Sequence, residues 1–138
     1  MMRMLPALLL TSALLSLGCA NEDLIARYTR ESDTQQRANC VCPTNGTTER
    51  CIEEVELRYP SAQAQECQRR VVAMYPDMRD AVACIADALH EFRPCFDEAL
   101  RDCATRDDAT CGPDFTARTN DCPRPSPGAG EALNRCLR

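Results

Sequence analysis

Residues 77–92 of this 138-residue chain have the sequence DMRDAVACIADALHEF, and this stretch decides the fold. Its apolar side chains recur at spacings of three and four residues, which places them on one face of an α-helix. The members of that face are Met78, Ala81, Val82, Ile85, Leu89 and Phe92. Asp77 suits the N-cap of this helix. No segment alternates apolar and polar residues with the period of two that a half-buried strand needs, so the sequence predicts an all-α domain.

Prolines divide the chain on both sides of this stretch into further short helices. Thr48 suits the N-cap of one helix, which Pro60 ends, and Ser61 suits the N-cap of the next, which Pro76 ends. Pro94 suits the first turn of another helix, because the N–H that proline lacks has no helical partner there. The sequence therefore predicts a small disulfide-rich bundle of about four to five short helices broken by prolines.

The segment before this bundle has a weak pattern. Leu24, Ile25 and Tyr28 form a small apolar patch, but residues 29–37 are polar throughout and have no face to bury. Residues 20–39 are either a frayed first helix or a tether between lipid and domain, and the tether is preferred. Residues 19–39 are therefore expected to be a lipidated N-terminus and a polar tether outside the fold. On this interpretation, deleting residues 21–36 leaves the thermal midpoint of the domain nearly unchanged.

The end of the chain has the composition of connecting segments. Residues 111–113 are typical of a helix end followed by a turn, and residues 122–130 of a stiff, proline-rich connector. A last short helix is expected over residues 131–137, with Leu137 on its apolar side. Residues 40–138 are thus expected to form one disulfide-braced helical domain.

The cysteines divide into one near the N terminus and ten in the polar chain that follows, eleven in all. A set of ten can close as five disulfides, and this cysteine content in an exported chain is typical of a disulfide scaffold. We therefore expect all ten to be oxidised, and reduction to unfold the domain. The candidates are Cys40, Cys42, Cys51, Cys67, Cys84, Cys95, Cys103, Cys111, Cys122 and Cys136.

Symmetry about the proline corners predicts three pairings of these cysteines. Cysteines at equal distances from a tight turn meet when the two flanking helices pack antiparallel. This geometry permits Cys51–Cys67, Cys67–Cys84 and Cys84–Cys103. Because each thiol bonds once, pairings that share a cysteine exclude one another, and the choice stays open.

The N terminus has the parts of a secretory signal. Arg3 supplies the positive charge, an apolar stretch follows, and the small residue Gly18 precedes Cys19. The apolar stretch is shorter than the roughly 20 residues that span a bilayer. Residues 15–19, LSLGC, resemble the lipobox of bacterial diacylglyceryl-cysteine lipoproteins. The resemblance implies that residues 1–18 are a signal peptide that is removed.

The same resemblance implies an anchor and an address. Cys19 would carry acyl chains such as palmitate, and several such chains hold a protein stably on a membrane. Ala20 follows the acylated position and favours the outer membrane or the periplasmic face over the inner membrane. The alternative is an ordinary secretory signal with a cysteine close to its cleavage site.

Few residues are candidates for catalysis, redox chemistry or metal binding, and for each of them we prefer a structural interpretation. Cys40 and Cys42 have a C-x-C spacing found in some redox-active and metal-binding sites, but other cysteines are available as their partners. His90, the one histidine, suits a helix C-terminus better than a catalytic site without a neighbouring nucleophile. One histidine and one close cysteine pair do not complete a four-ligand metal site, so no metal or cofactor is expected.

The charge of the chain limits its partners. With 16 basic and 21 acidic residues the net charge is −5, which argues against nucleic-acid binding. The acidic runs at residues 53–56 and 107–108 lack the spacing of a calcium loop and are interpreted as solvated surface.

These observations leave three hypotheses about function. The first is a membrane-anchored lipoprotein of the bacterial cell envelope, non-catalytic, with a structural or interaction role toward an envelope protein. The second is a carrier of a small apolar ligand, which requires a cavity of at least about 300 Å³. The third is thiol–disulfide exchange through Cys40 and Cys42.

Overall fold

The computed structural model describes residues 23–43, 46–99, 101 and 111–137. These residues form six α-helices and no strand, so the predicted all-α, disulfide-rich fold is confirmed. The helices are α1 Leu24–Asn39, α2 Thr48–Arg58, α3 Ala62–Met74, α4 Pro76–Ala99, α5 Cys111–Asn120 and α6 Pro127–Arg135.

The helix α4 is the centre of the fold. It packs against α1, α3, α5 and α6, and most extensively against α1. Ala81, Ala86 and Ala88 are almost fully buried along it, and side chains this small let neighbouring helices come close on more than one side. Asp77, expected as the N-cap of this helix, lies in its first turn, because the helix begins at Pro76.

The predicted start of a separate helix at Pro94 is wrong, because α4 continues through this residue. A proline inside a helix removes one backbone hydrogen bond and costs roughly 3 kcal/mol. Contacts of the two residues that follow Pro94 offset that cost. Cys95 is bonded to Cys111, and Phe96 packs edge-on against Phe115 with ring centroids 5.7 Å apart. The last turn of α4 is therefore held by α5.

The predicted tether is wrong over α1, which is a helix packed on α4. The Asp23 carboxylate accepts a hydrogen bond from the Ile25 N–H and caps the helix. Ile25 is only 1% exposed. The polar side of α1 contributes ion pairs to α4, one of which joins Arg27 to Asp87. Charge pairing therefore docks a helix whose apolar stripe is short.

Helix α3 has the predicted cap, Ser61, whereas the cap of α2 is Thr47, one residue before the predicted Thr48. The Thr47 hydroxyl accepts from the Arg50 N–H at 3.3 Å, and the Ser61 hydroxyl accepts from the Ala64 N–H at 3.1 Å. Pro60 separates the two helices as predicted. These caps satisfy backbone N–H groups that have no partner inside the helix.

The two C-terminal helices differ from the prediction. The predicted helix end and turn at residues 111–113 is wrong, because Cys111 begins α5 and Pro113 lies in its first turn, where a missing N–H costs little. The helix α6 begins at Pro127 rather than near residue 131. The Ser126 N–H, just before α6, donates to the Asp77 carboxylate at 2.6 Å, and this bond lowers the pKa of Asp77. It fastens the connector to the start of α4.

Four disulfides join described residues, and none follows the predicted symmetry. They are Cys40–Cys51, Cys67–Cys136, Cys84–Cys122 and Cys95–Cys111. The pairings Cys51–Cys67, Cys67–Cys84 and Cys84–Cys103 are wrong, because Cys51, Cys67 and Cys84 are bonded to other cysteines. Among the described helices, α2 does not pack against α3, whereas α1 packs against α2 and α3 against α6.

The main core lies where α1, α3, α4 and α6 meet. Its buried members are Ile25, Val71, Val72, Met78, Val82, Ala129, Ala132 and Cys136. A smaller aromatic cluster joins α4 to α5, where Phe92 and Phe96 both pack edge-on against Phe115. Leu137, expected on the apolar side of the last helix, is instead exposed.

Candidate functional site

The C-x-C pair lies at the end of α1 and is not bonded to itself. Cys40 is fully buried and bonded to Cys51. Cys42 is also buried and disulfide-bonded. Exchange chemistry requires an accessible sulfur, and Cys40 offers none without opening the helix ends around it.

His90 lies on an exposed part of α4, beside a buried carboxylate. Its Nδ1 is 3.6 Å from Glu31 Oε1, and the Glu31 side chain is only 3% exposed. Arg93 also pairs with Glu31, and Arg30 approaches it at 3.3 Å. The contact of His90 therefore belongs to an ion cluster that joins α1 to α4.

Two glutamates of the acidic run on α2, Glu54 and Glu56, form surface ion pairs with arginines. Glu54 lies 3.5 Å from both Arg50 and Arg58, and Glu56 lies 3.3 Å from Arg37. The other acidic run, at residues 107–108, lies outside the described residues. Within the described part of the chain, no group of three or more His, Cys, Asp or Glu side chains is placed to hold a metal ion.

A cavity of about 340 Å³, here called the core cavity, opens between α1, α3, α4 and α6. Its wall is mainly apolar and includes Ile25, Met78, Ala81, Val82, Ile85 and Leu133. A pocket with these properties has the size and lining of a small-molecule site. The segment at residues 119–125 completes its rim.

A second cavity of about 220 Å³ lies next to the core cavity and shares three wall residues with it. Tyr28, Gln68 and Leu133 border both cavities. Burial raises the pKa of the Tyr28 hydroxyl above its ordinary value. These three side chains therefore form the partition between the two spaces.

Gln68 is the unusual member of this partition. It is only 6% exposed, and its Oε1 has no hydrogen-bond partner among the described residues. Buried amide oxygens are almost always hydrogen-bonded, because leaving one unpaired costs about 1–3 kcal/mol. An unpaired acceptor at the wall of an apolar cavity is thus the feature most suggestive of a ligand.

The sequence carried a signal for Gln68. It precedes Val71 and Val72 by three and four residues, so it shares their buried face of α3. A glutamine on such a face is a buried polar group. The cavity itself left no sequence signal, because it depends on how four helices pack.

An exposed apolar patch, here called the corner patch, consists of Leu57, Tyr59 and Leu137. Leu57 is 85% exposed, and the three residues border one open groove of about 740 Å³. Arg58 and Arg135 lie in the same groove. Clustered exposed apolar side chains are typical of a surface that another molecule covers.

Comparison with protein-family models, with curated proteins and with solved structures finds no match to this chain. Among the described helices, none is both long enough and apolar enough to cross a membrane. Functional inference therefore depends on the residues themselves.

Proposed function

We propose that this chain is an exported lipoprotein of the bacterial cell envelope, anchored by acyl chains on Cys19. Its helical domain has a non-catalytic structural or interaction role and needs no cofactor. The LSLGC stretch at residues 15–19 supports the anchor. The proposal favours the outer membrane or the periplasmic face.

One observation carries the proposal: all nine described cysteines are disulfide-bonded. Eight of them pair with one another, and the other two cysteines of the chain, Cys19 and Cys103, lie outside the described residues. A Cys42–Cys103 bridge completes five disulfides within the domain and leaves Cys19 as the single spare cysteine. A spare cysteine directly after a signal peptide is the one that a lipoprotein pathway acylates.

The corner patch supports the interaction role. Leu57, Tyr59 and Leu137 expose apolar surface at one groove, and a partner that covers the groove would remove that surface from water. The partner in this proposal is an envelope protein of unknown identity. The acidic net charge of the chain disfavours nucleic acid as the partner.

Metabolic labelling with an alkyne analogue of palmitate tests the anchor. The wild-type protein should be labelled and should sediment with membranes, whereas Cys19→Ser should be unlabelled. Peptide mapping without reduction should recover Cys42 joined to Cys103. A labelled Cys19→Ser protein, or a Cys42–Cys19 peptide, would contradict the proposal.

A second candidate function, carriage of a small apolar ligand, is favoured by the core cavity. Its volume of about 340 Å³ exceeds the minimum that the carrier hypothesis requires. A carrier tethered by Cys19 would hold such a ligand close to a membrane, where apolar molecules concentrate. The anchor and the carrier functions are therefore compatible.

A further inference from the structure

We infer that the core cavity binds a small apolar molecule that carries one hydroxyl group, and that Gln68 accepts the hydrogen bond from this hydroxyl. The inference rests on the carrier candidate and names its ligand class. It does not depend on acylation of Cys19.

The lining of the core cavity defines the apolar part of the ligand. Ile25, Val82, Ile85 and Leu133 come from α1, α4 and α6, so a ligand between them would contact three helices at once. Apolar molecules bury their own surface against these side chains and gain the hydrophobic free energy of leaving water.

The polar part of the ligand is defined by Gln68. Gln68 borders the core cavity, and its buried Oε1 has no hydrogen-bond partner in the part of the chain that the structure describes. The terminal torsion of a glutamine side chain has a broad energy profile, so the amide can turn and present its oxygen to the core cavity. A hydroxyl donates one hydrogen bond and adds no charge, which suits a site with an apolar wall.

The rim distinguishes this ligand class from an anionic amphiphile. Arg124 borders the core cavity and has no ion pair with any described residue. It is exposed, so water already solvates its guanidinium group. The buried Gln68 Oε1 is not solvated in this way. A hydrogen bond from a ligand to Gln68 would therefore contribute more binding free energy than an ion pair with Arg124.

Calorimetric titration of the mature polypeptide without lipid, residues 20–138, tests this inference with two matched probes. They are 1-naphthol and 1-methoxynaphthalene, which differ in one hydroxyl group. This polypeptide retains every described residue, and its oxidised mass and thermal transition verify that it is folded. We expect 1-naphthol to bind about tenfold more tightly than its ether, the effect of one buried hydrogen bond.

Gln68→Met should remove this preference, because methionine keeps the shape of glutamine but has no strong acceptor. Gln63→Met, on the exposed side of α3, is the matched control and should keep it. Gly130→Leu projects a side chain into the core cavity, because a Cβ built at Gly130 has no atom within 4 Å, and it should weaken binding of both probes. If Gln68→Met fails to fold, Gly130→Leu still tests the site.

Three results would overturn the inference. They are absence of binding, equal affinities for the two probes, and a preference that survives Gln68→Met. The inference would also be overturned if 1-naphthoate bound more tightly than 1-naphthol and Arg124→Gln removed this difference. Arg124 at the rim would then select the ligand. Each of these results leaves the labelling experiment on Cys19 unaffected, so the two proposals fail separately.

Discussion

Glu31 illustrates, at the scale of a single residue, why charge decides the packing of α1. Its side chain is almost fully buried, yet it lies in a run of polar residues that has no apolar face. The burial is tolerated because Arg93 of α4 pairs with the carboxylate and Arg30 and His90 lie close to it. A hydropathy pattern contains no information about the main partner, Arg93, which is 62 residues away along the chain.

Tyr28 gives a prediction about alkaline pH. Burial raises its pKa above the ordinary value of 10.0, so the folded chain holds this proton more tightly than the unfolded chain does. The stabilising contribution is thus fully present below about pH 10 and is lost as the pH rises through the folded pKa. We expect the free energy of unfolding, measured in urea from about pH 8 to about pH 11, to fall less steeply in Tyr28→Phe.

The matched control for this prediction is Tyr59→Phe, which makes the same change at an exposed position. It should keep the alkaline slope of the wild-type protein. Equal slopes in the wild-type protein and in Tyr28→Phe would contradict the assignment to Tyr28.

At the scale of helices, local signals predicted the elements whose ends and faces are encoded nearby in the sequence. The apolar stripe of α4 and the serine cap of α3 are of this kind. The continuation of α4 past Pro94 could not be predicted, because it depends on a disulfide and an aromatic pair supplied by α5. The docking of α1 could not be predicted either, because its partners lie on a distant helix.

The role of α1 gives a prediction that reverses the expectation for a tether. Ile25→Ala removes a side chain that is fully buried in the main core, and such changes cost about 2–5 kcal/mol. Ile52→Ala makes the same change at a partly exposed position on α2 and should cost less. Urea denaturation of the oxidised proteins measures both.

Deletion of residues 21–36 should be more severe than Ile25→Ala. It removes most of α1 and exposes the face of α4 that α1 covers. We expect a large loss in the thermal midpoint, measured by circular dichroism. An unchanged midpoint would restore the tether interpretation.

At the scale of the whole molecule, the disulfides provide stabilisation that a larger hydrophobic core would otherwise supply. The four described bridges join α1 to α2, α3 to the end of α6, and α4 both to α5 and to the segment that follows it. Composition alone predicted this mode of stabilisation. The connectivity could not be predicted, because it depends on which helices are neighbours in space.

The candidate site was predictable only in part, for a similar reason. A carrier was one of the hypotheses from the sequence, and its size criterion is met by the core cavity. The position of Gln68 on the buried face of α3 could have been inferred from spacing. Its missing hydrogen-bond partner could not, because that depends on every element that surrounds the amide.

Two bridges that close loops of different length provide the last prediction. Cys67 and Cys136 are 69 residues apart, whereas Cys40 and Cys51 are 11 apart. In the chain-entropy model these bridges contribute about 4 and about 3 kcal/mol. Replacing Cys67 and Cys136 by alanine should therefore lower the free energy of unfolding more than replacing Cys40 and Cys51. Urea denaturation of the two double variants measures the difference. Equal losses, or a larger loss for the short loop, would mean that local packing outweighs loop entropy in this fold.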